Sequence, residues 1–149
     1  MSVLNNISVN TNISSTKTQK NLTLQDSLIA IAVYAAQIDP DNPNDDIKRI
    51  EDLAKNNPLF REEPKALRAR INKFINSMRV GNPLDTVGIA AMSLTPKYRK
   101  IAFKWAIELV LAEGKLSEEQ NEILERLRIK LSIDSKAANK FITENSHSR

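Results

Sequence analysis

The sequence contains no cysteine and one histidine. Without cysteine, the chain has no disulfide, no thiolate metal site and no cysteine nucleophile. The lone His147 lies in the polar stretch ENSHSR, so neither a histidine-based zinc set nor a Ser-His-Asp triad is expected. Several of the commonest enzyme chemistries are therefore excluded.

Long hydrophobic runs are also lacking. The longest apolar stretch, LIAIAVYAAQI, falls well short of the ~18 residues that cross a bilayer. The first residues lack both the charged and the apolar regions of a secretory signal. A cytoplasmic location is expected.

The 149 residues, 41% hydrophobic and 27% charged, suit one globular domain. Residues 1–21 are rich in Asn, Ser and Thr without periodicity, and they predict a flexible polar tail. Apolar periodicity from Thr23 onward is helical, and strand signals are absent. The sequence predicts an all-α, single-domain bundle of about seven helices.

The helix termini carry recognisable signals. Thr23 is expected to cap a first helix whose apolar residues surround it almost completely, which predicts a buried central position. Gly81 is expected to end a later helix in the left-handed conformation. Further start signals are Pro64, Thr95–Pro96, the Ser117–Gln120 capping box, and Asp134 or Ser135.

The tetrapeptide NKFI occurs twice, at 72–75 and at 139–142. Each copy ends a unit made of a long apolar helix, an acidic turn with an amphipathic helix, and the NKFI helix. The two units, about 24–80 and 95–145, predict a pseudo-twofold internal duplication of a helical-hairpin unit.

One stretch of the second unit resembles a known family. It reads AEGKLSEEQ over 112–120, followed by Ile123, Leu127 and the turn LSID over 131–134. This pattern resembles the tellurite-resistance TerB family and the TerB-like module of membrane-anchored J-domain co-chaperones, over about residues 22–145. The resemblance implies a non-enzymatic helical module of bacterial stress resistance, which acts with partner proteins at the inner face of the membrane. It also implies divalent metal binding through the acidic turns.

Two interpretations of the acidic turns stay open. In the first, the acids stabilise helix N-termini through the helix dipole or belong to solvated turns. In the second, the pseudo-twofold brings Asp39 beside Glu113, and a divalent cation (Ca²⁺, Mg²⁺ or Zn²⁺) binds there through oxygen ligands. The spacing is not that of an EF-hand. The predicted metal ligands are Asp39, Asp41, Asp46, Glu113 and Glu122.

Basic residues concentrate in two predicted helices. One contains Arg68, Arg70, Lys73 and Arg79, and the other contains Lys97, Arg99, Lys100 and Lys104. They form either solvated outer faces or a surface for anionic lipid headgroups or an acidic partner. Tyr34, Phe103, Trp105, Met78 and Met92 are expected in the core.

The predicted function is that of a non-catalytic, TerB-like module for tellurite or stress resistance, acting by protein interaction at or near the inner membrane. Expected partners are other stress-resistance proteins, including membrane-associated ones, and a homodimer is left open. The alternative is a nucleic-acid-binding helical protein that uses basic helices 65–79 and 97–104. A net charge of only +4 makes nucleic acid the less favoured partner. A metal-dependent hydrolase is a weaker third alternative.

Overall fold

The computed structural model describes residues 21–39, 41–114 and 116–148, without the side chains of Glu113 and of residues 146–148. This part of the chain forms seven α-helices and one 3-10 turn, with no strand, in a single domain. The all-α prediction is confirmed. The predicted flexible tail, apart from Asn21, lies outside the described residues. The helices are α1 (Leu24–Ala36), α2 (Asn44–Lys55), α3 (Pro64–Val80), α4 (Pro83–Met92), α5 (Pro96–Val110), α6 (Glu118–Lys130) and α7 (Ser135–Ser148), with the 3-10 turn at Leu111–Glu113.

Helix α1 forms the centre of the bundle. Every residue from Ser27 to Ala35 is buried. The helix packs most extensively on α5, then on α4 and α3. This confirms the central position that was predicted from apolar residues on all its sides, because such a helix is stable only when it is covered on every face.

The predicted start signals cap the helices. The Thr23 hydroxyl accepts a hydrogen bond from the backbone N–H of Asp26 at 3.0 Å. At α6, Ser117 Oγ accepts from the Gln120 N–H at 3.0 Å, and Gln120 Oε1 accepts from the Ser117 N–H at 2.9 Å. Asp134 accepts the first N–H groups of α7. Helices α3 and α5 begin at the predicted prolines. These signals succeed because each satisfies backbone groups at a helix start or begins the helix with a preset φ.

The helix ends differ from expectation at one glycine. Gly81 follows α3 with φ −124° and ψ −167°, which is extended backbone, so the predicted left-handed conformation is wrong there. Left-handed backbone occurs instead at Gln37 (φ 48°) and Ser132 (φ 56°). After α6, the Ile133 N–H donates to the Arg128 carbonyl and the Ser132 N–H to the Ile129 carbonyl. This is a Schellman ending with serine in the place that glycine usually takes.

The core contains most of the predicted residues. Tyr34, Phe103 and Trp105 are buried, and Met78 packs against the core in a partly buried position. Met92 is 71% exposed, so its prediction as a core residue is wrong. Ala91 ends the buried face of α4, and the next residue lies about 100° further round a helix.

The two NKFI copies differ in burial. Phe74 in α3 is 3% exposed, whereas Phe141 in α7 is only partly buried. The long apolar helices of the two units, α1 and α5, pack against each other. The internal duplication remains a prediction. The two NKFI copies are not equivalent in burial, since only Phe74 lies in the core.

Candidate functional site

The two acidic turns meet at one corner of the bundle. A cleft of about 270 Å³ lies between the ends of α1 and α5 and the starts of α2 and α6. Asp39 and Asp46 line it from the first unit, and Ser117, Glu119 and Gln120 line it from the second. We call this the corner cleft. It unites segments that are about 80 residues apart in sequence.

The predicted metal ligands are placed unequally around this cleft. Asp39 accepts the Asp41 backbone N–H at 2.9 Å, and Asp41 itself is exposed and outside the cleft lining. Asp46 is paired with Arg49 at 3.1 Å. Glu122 also lies outside the lining and pairs with Arg126 at 3.6 Å. The side chain of Glu113 is outside the described part of the chain.

The chemistry of the described lining does not fit a preformed cation site. Within the ranges that the structure describes, no three acidic or histidine side chains converge as a metal would require. The guanidinium of Arg49 also lines the cleft and occupies one oxygen of Asp46. A cation in this position competes electrostatically with a metal ion. The complete predicted set, with Glu113, remains a prediction.

Two further clefts lie along α5 near the corner cleft. A cleft of about 390 Å³ between α2 and α5 shares Arg49 and Leu109 with the corner cleft. A third, of about 260 Å³ between α5 and α7, shares Glu108 with the second. These three neighbouring clefts are together called the α5 groove below. Its apolar members include Leu53, Trp105, Leu109, Ala112 and Phe141.

The α5 groove has the opposite charge to the whole chain. Its described lining contains six carboxylates and only two cations, a formal excess of four negative charges, whereas the chain carries +4. The cations are Arg49 and Lys104. The carboxylates are Asp39, Asp46, Asp52, Glu108, Glu119 and Glu144. Local concentration of one sign of charge in a depression attracts groups of the opposite sign.

The basic residues of α3 are largely paired with acids of neighbouring segments. Arg68 donates from Nε to Glu51 Oε2 at 3.0 Å and from Nη2 to Oε1 at 2.8 Å. These hydrogen bonds outweigh the effect of burial and hold the pKa of Glu51 below its ordinary value of 4.5. The pair links α3 to α2.

Arg70 links α3 to two other segments. Its guanidinium donates twice to Glu62, at 3.1 and 2.8 Å, and also bonds Asp26 of α1. The hydrogen bond to Glu62, together with that to Asp26, raises the pKa of Arg70. Lys73 adds a contact to Asp26 at 3.5 Å. Sequence analysis missed this network because Asp26 and Arg70 are 44 residues apart, and no local pattern signals their contact.

The basic residues of α5 are arranged differently. Lys97, Lys100 and Lys104 are exposed along one side of the helix. Lys97 lies over the Tyr98 ring and Lys104 over the Phe141 ring, at 5.5 and 4.7 Å from the ring centroids. Arg99 donates to the Ala91 carbonyl at the end of α4. The three lysines, called the α5 lysine stripe below, present positive charge to solvent.

Among the described residues, no helix combines the length and apolarity that a bilayer crossing requires. The fold and these surfaces define an all-α bundle with an acidic groove beside a lysine stripe. Comparison with known proteins finds no family model, no curated protein and no solved structure that matches the chain. The TerB-like resemblance therefore depends on the sequence, that is, on the motif residues and the predicted duplication.

Proposed function

We propose that this chain is a non-catalytic, TerB-like module for tellurite or related stress resistance, acting by protein interaction at or near the inner membrane. The observation that supports the proposal is the meeting of the two acidic turns in the corner cleft. The sequence motif concerns these turns, and helices from both units build the cleft around them.

The α5 lysine stripe supplies the surface for the membrane side of this proposal. Exposed lysines on one helical side interact with anionic headgroups at about 1 kcal/mol each near a membrane surface. Cosedimentation with vesicles of anionic or purely zwitterionic phospholipid tests this part. We expect binding to the anionic vesicles only, and its loss in Lys97→Gln/Lys100→Gln/Lys104→Gln.

A matched control for the stripe replaces three exposed lysines on other helices, Lys55, Lys65 and Lys130, with glutamine. If both triple variants lose binding equally, net charge rather than the stripe is responsible. Duplex DNA added over a salt series tests the nucleic-acid alternative. Because Arg68 and Arg70 of α3 are paired with acids, strong salt-dependent DNA binding is not expected.

The resistance role is tested in a tellurite-sensitive bacterial host that expresses the full chain. We expect improved survival on tellurite compared with an empty vector. A divalent cation, if it contributes, changes amide NMR signals during titration with Ca²⁺, Mg²⁺ or Zn²⁺. Asp39→Asn/Glu113→Gln should abolish the response while Asp85→Asn/Glu118→Gln retains it. An unchanged response in the first variant eliminates the predicted ligands.

A further inference from the structure

We propose that residues 1–20 of this chain bind in the α5 groove of the same molecule and so compete with other basic segments for it. This inference goes beyond the proposed function and does not depend on it. It combines the charge of the groove, the composition of the segment and the place where the segment joins the bundle.

The groove and the segment are complementary in charge. The described lining of the groove has a formal excess of four negative charges. Residues 1–20 contain Lys17 and Lys20 and no acidic residue at all. Opposite charges attract most effectively where a depression concentrates the field.

The segment also has apolar side chains for the apolar part of the groove. Five aliphatic residues are distributed through it: Val3, Leu4, Ile7, Val9 and Ile13. The groove exposes apolar surface from half-buried residues such as Leu53 and Ala112, and covering such surface stabilises a complex by about 25 cal/mol per Å². A segment with both lysines and aliphatic residues matches both kinds of surface.

The segment joins the bundle close to the start of α5, where the Leu22 N–H donates to Ser93 Oγ at 3.0 Å. Gln25, in the first turn of α1, donates to the Leu59 carbonyl at 3.4 Å. The adjacent residue, Phe60, packs on Trp105 with ring centroids 5.9 Å apart, and Trp105 lines the groove. Twenty residues span up to about 66 Å when extended, whereas the α5 part of the groove, residues 104–112, is about 12 Å long. Twenty residues are therefore long enough to span the α5 part of the groove.

The absence of cysteine makes a direct test simple. Ser14→Cys introduces the single thiol of the full chain, to which a nitroxide spin label is attached. In the ¹⁵N-labelled protein, we expect amide signals of Leu53, Leu109 and Ala112 to lose intensity. Amides of Asn76 and Asp85, on helices that do not line the groove, should keep theirs.

Charge variants then test the role of the groove carboxylates. Asp52→Asn/Glu119→Gln removes two groove charges and should restore more than half of the lost intensity. Asp45→Asn/Glu118→Gln removes two charges from the same helices, at exposed positions outside the lining, and should leave the intensity loss unchanged. Raising the salt to about 1 M, where the Debye length is about 3 Å, should weaken the effect in the original chain.

Three results would overturn the proposal. The first is an equal loss of intensity over the groove and over α3 and α4, or no loss at the groove. The second is a groove-specific loss that persists in Asp52→Asn/Glu119→Gln. The third comes from a mixture of two samples: spin-labelled chain without ¹⁵N, and ¹⁵N-labelled chain without the nitroxide. Intensity loss at the groove in that mixture means that the segment of a second copy binds there.

Discussion

The guanidinium of Arg68 on α3 donates to both carboxylate oxygens of Glu51 on α2, a residue that is only 9% exposed. Two parallel hydrogen bonds of this kind are both strong and geometrically specific. They fasten α2 to the bundle, and α2 forms one wall of the α5 groove.

The Arg68–Glu51 pair should make the free energy of unfolding depend on pH in the acidic range. The folded pKa of Glu51 lies below its ordinary value of 4.5, so its contribution is complete above that value and is lost as the pH falls through the folded pKa. We expect Glu51→Gln to unfold at lower denaturant concentration than the original chain at pH 7. The difference should shrink as the pH is lowered below 4.5. Asp52→Asn, on the neighbouring exposed residue, should show little of either effect.

The hydroxyl of Ser27 is fully buried in α1 and has no hydrogen-bond partner in the described part of the chain. Ser27→Ala should therefore raise the free energy of unfolding by about 1 kcal/mol, because a buried unsatisfied polar group is removed. Urea denaturation measures this change. Ser77→Ala, on the exposed side of α3, should gain no more than about 0.5 kcal/mol from helix propensity. A less stable Ser27→Ala protein would show that the hydroxyl is satisfied.

Two residues of α6 test the assignment of the core. Leu127 is fully buried, and Leu127→Ala should lower the free energy of unfolding by about 2–5 kcal/mol through lost contacts and a cavity. Ile129 is 60% exposed on the same helix, and Ile129→Ala should change the free energy of unfolding by less than about 0.5 kcal/mol. Thermal and urea unfolding measure both variants, and an equal loss of stability in the two would contradict the orientation of α6.

Two glycines should respond in opposite directions to alanine. Gly114 has φ 107° and ψ −118°, so Gly114→Ala should destabilise the protein by about 1–3 kcal/mol through backbone strain. Gly81 is extended, and a Cβ there would meet the Ser77 carbonyl oxygen at an ordinary 3.4 Å. Gly81→Ala should stabilise by about 0.4–1 kcal/mol by restricting the unfolded chain. Calorimetric melting of both variants checks the signs.

Much of the local structure could be predicted from the sequence. Thr23, Pro64, Pro96 and the Ser117–Gln120 box all begin helices where predicted, because capping and φ restriction operate over three or four residues. The burial of α1 was likewise evident from its own apolar residues. Met92 was mispredicted because composition does not reveal which side of a short helix its neighbours cover.

The candidate site was predictable only in part. Asp39 and the start of α6 both line the corner cleft, whereas the predicted placement of Asp39 beside Glu113 stays a prediction. The repeat did not reveal that Arg49 lies in that cleft, or that Glu122 pairs with Arg126 outside its lining. Which side chains line a cleft between helices depends on the relative positions of whole helices.

By itself, the sequence determined the helical class, most helix starts and the central place of α1, since these follow from interactions within a few residues and from hydrophobic periodicity. The tertiary structure alone decided how the charges are arranged in space. It joined Arg70 to Asp26 and Arg68 to Glu51, while the α5 lysine stripe stays exposed and carboxylates from four helices gather along the α5 groove. Charge acts through space, so its partners are set by packing between distant segments rather than by neighbours in the chain.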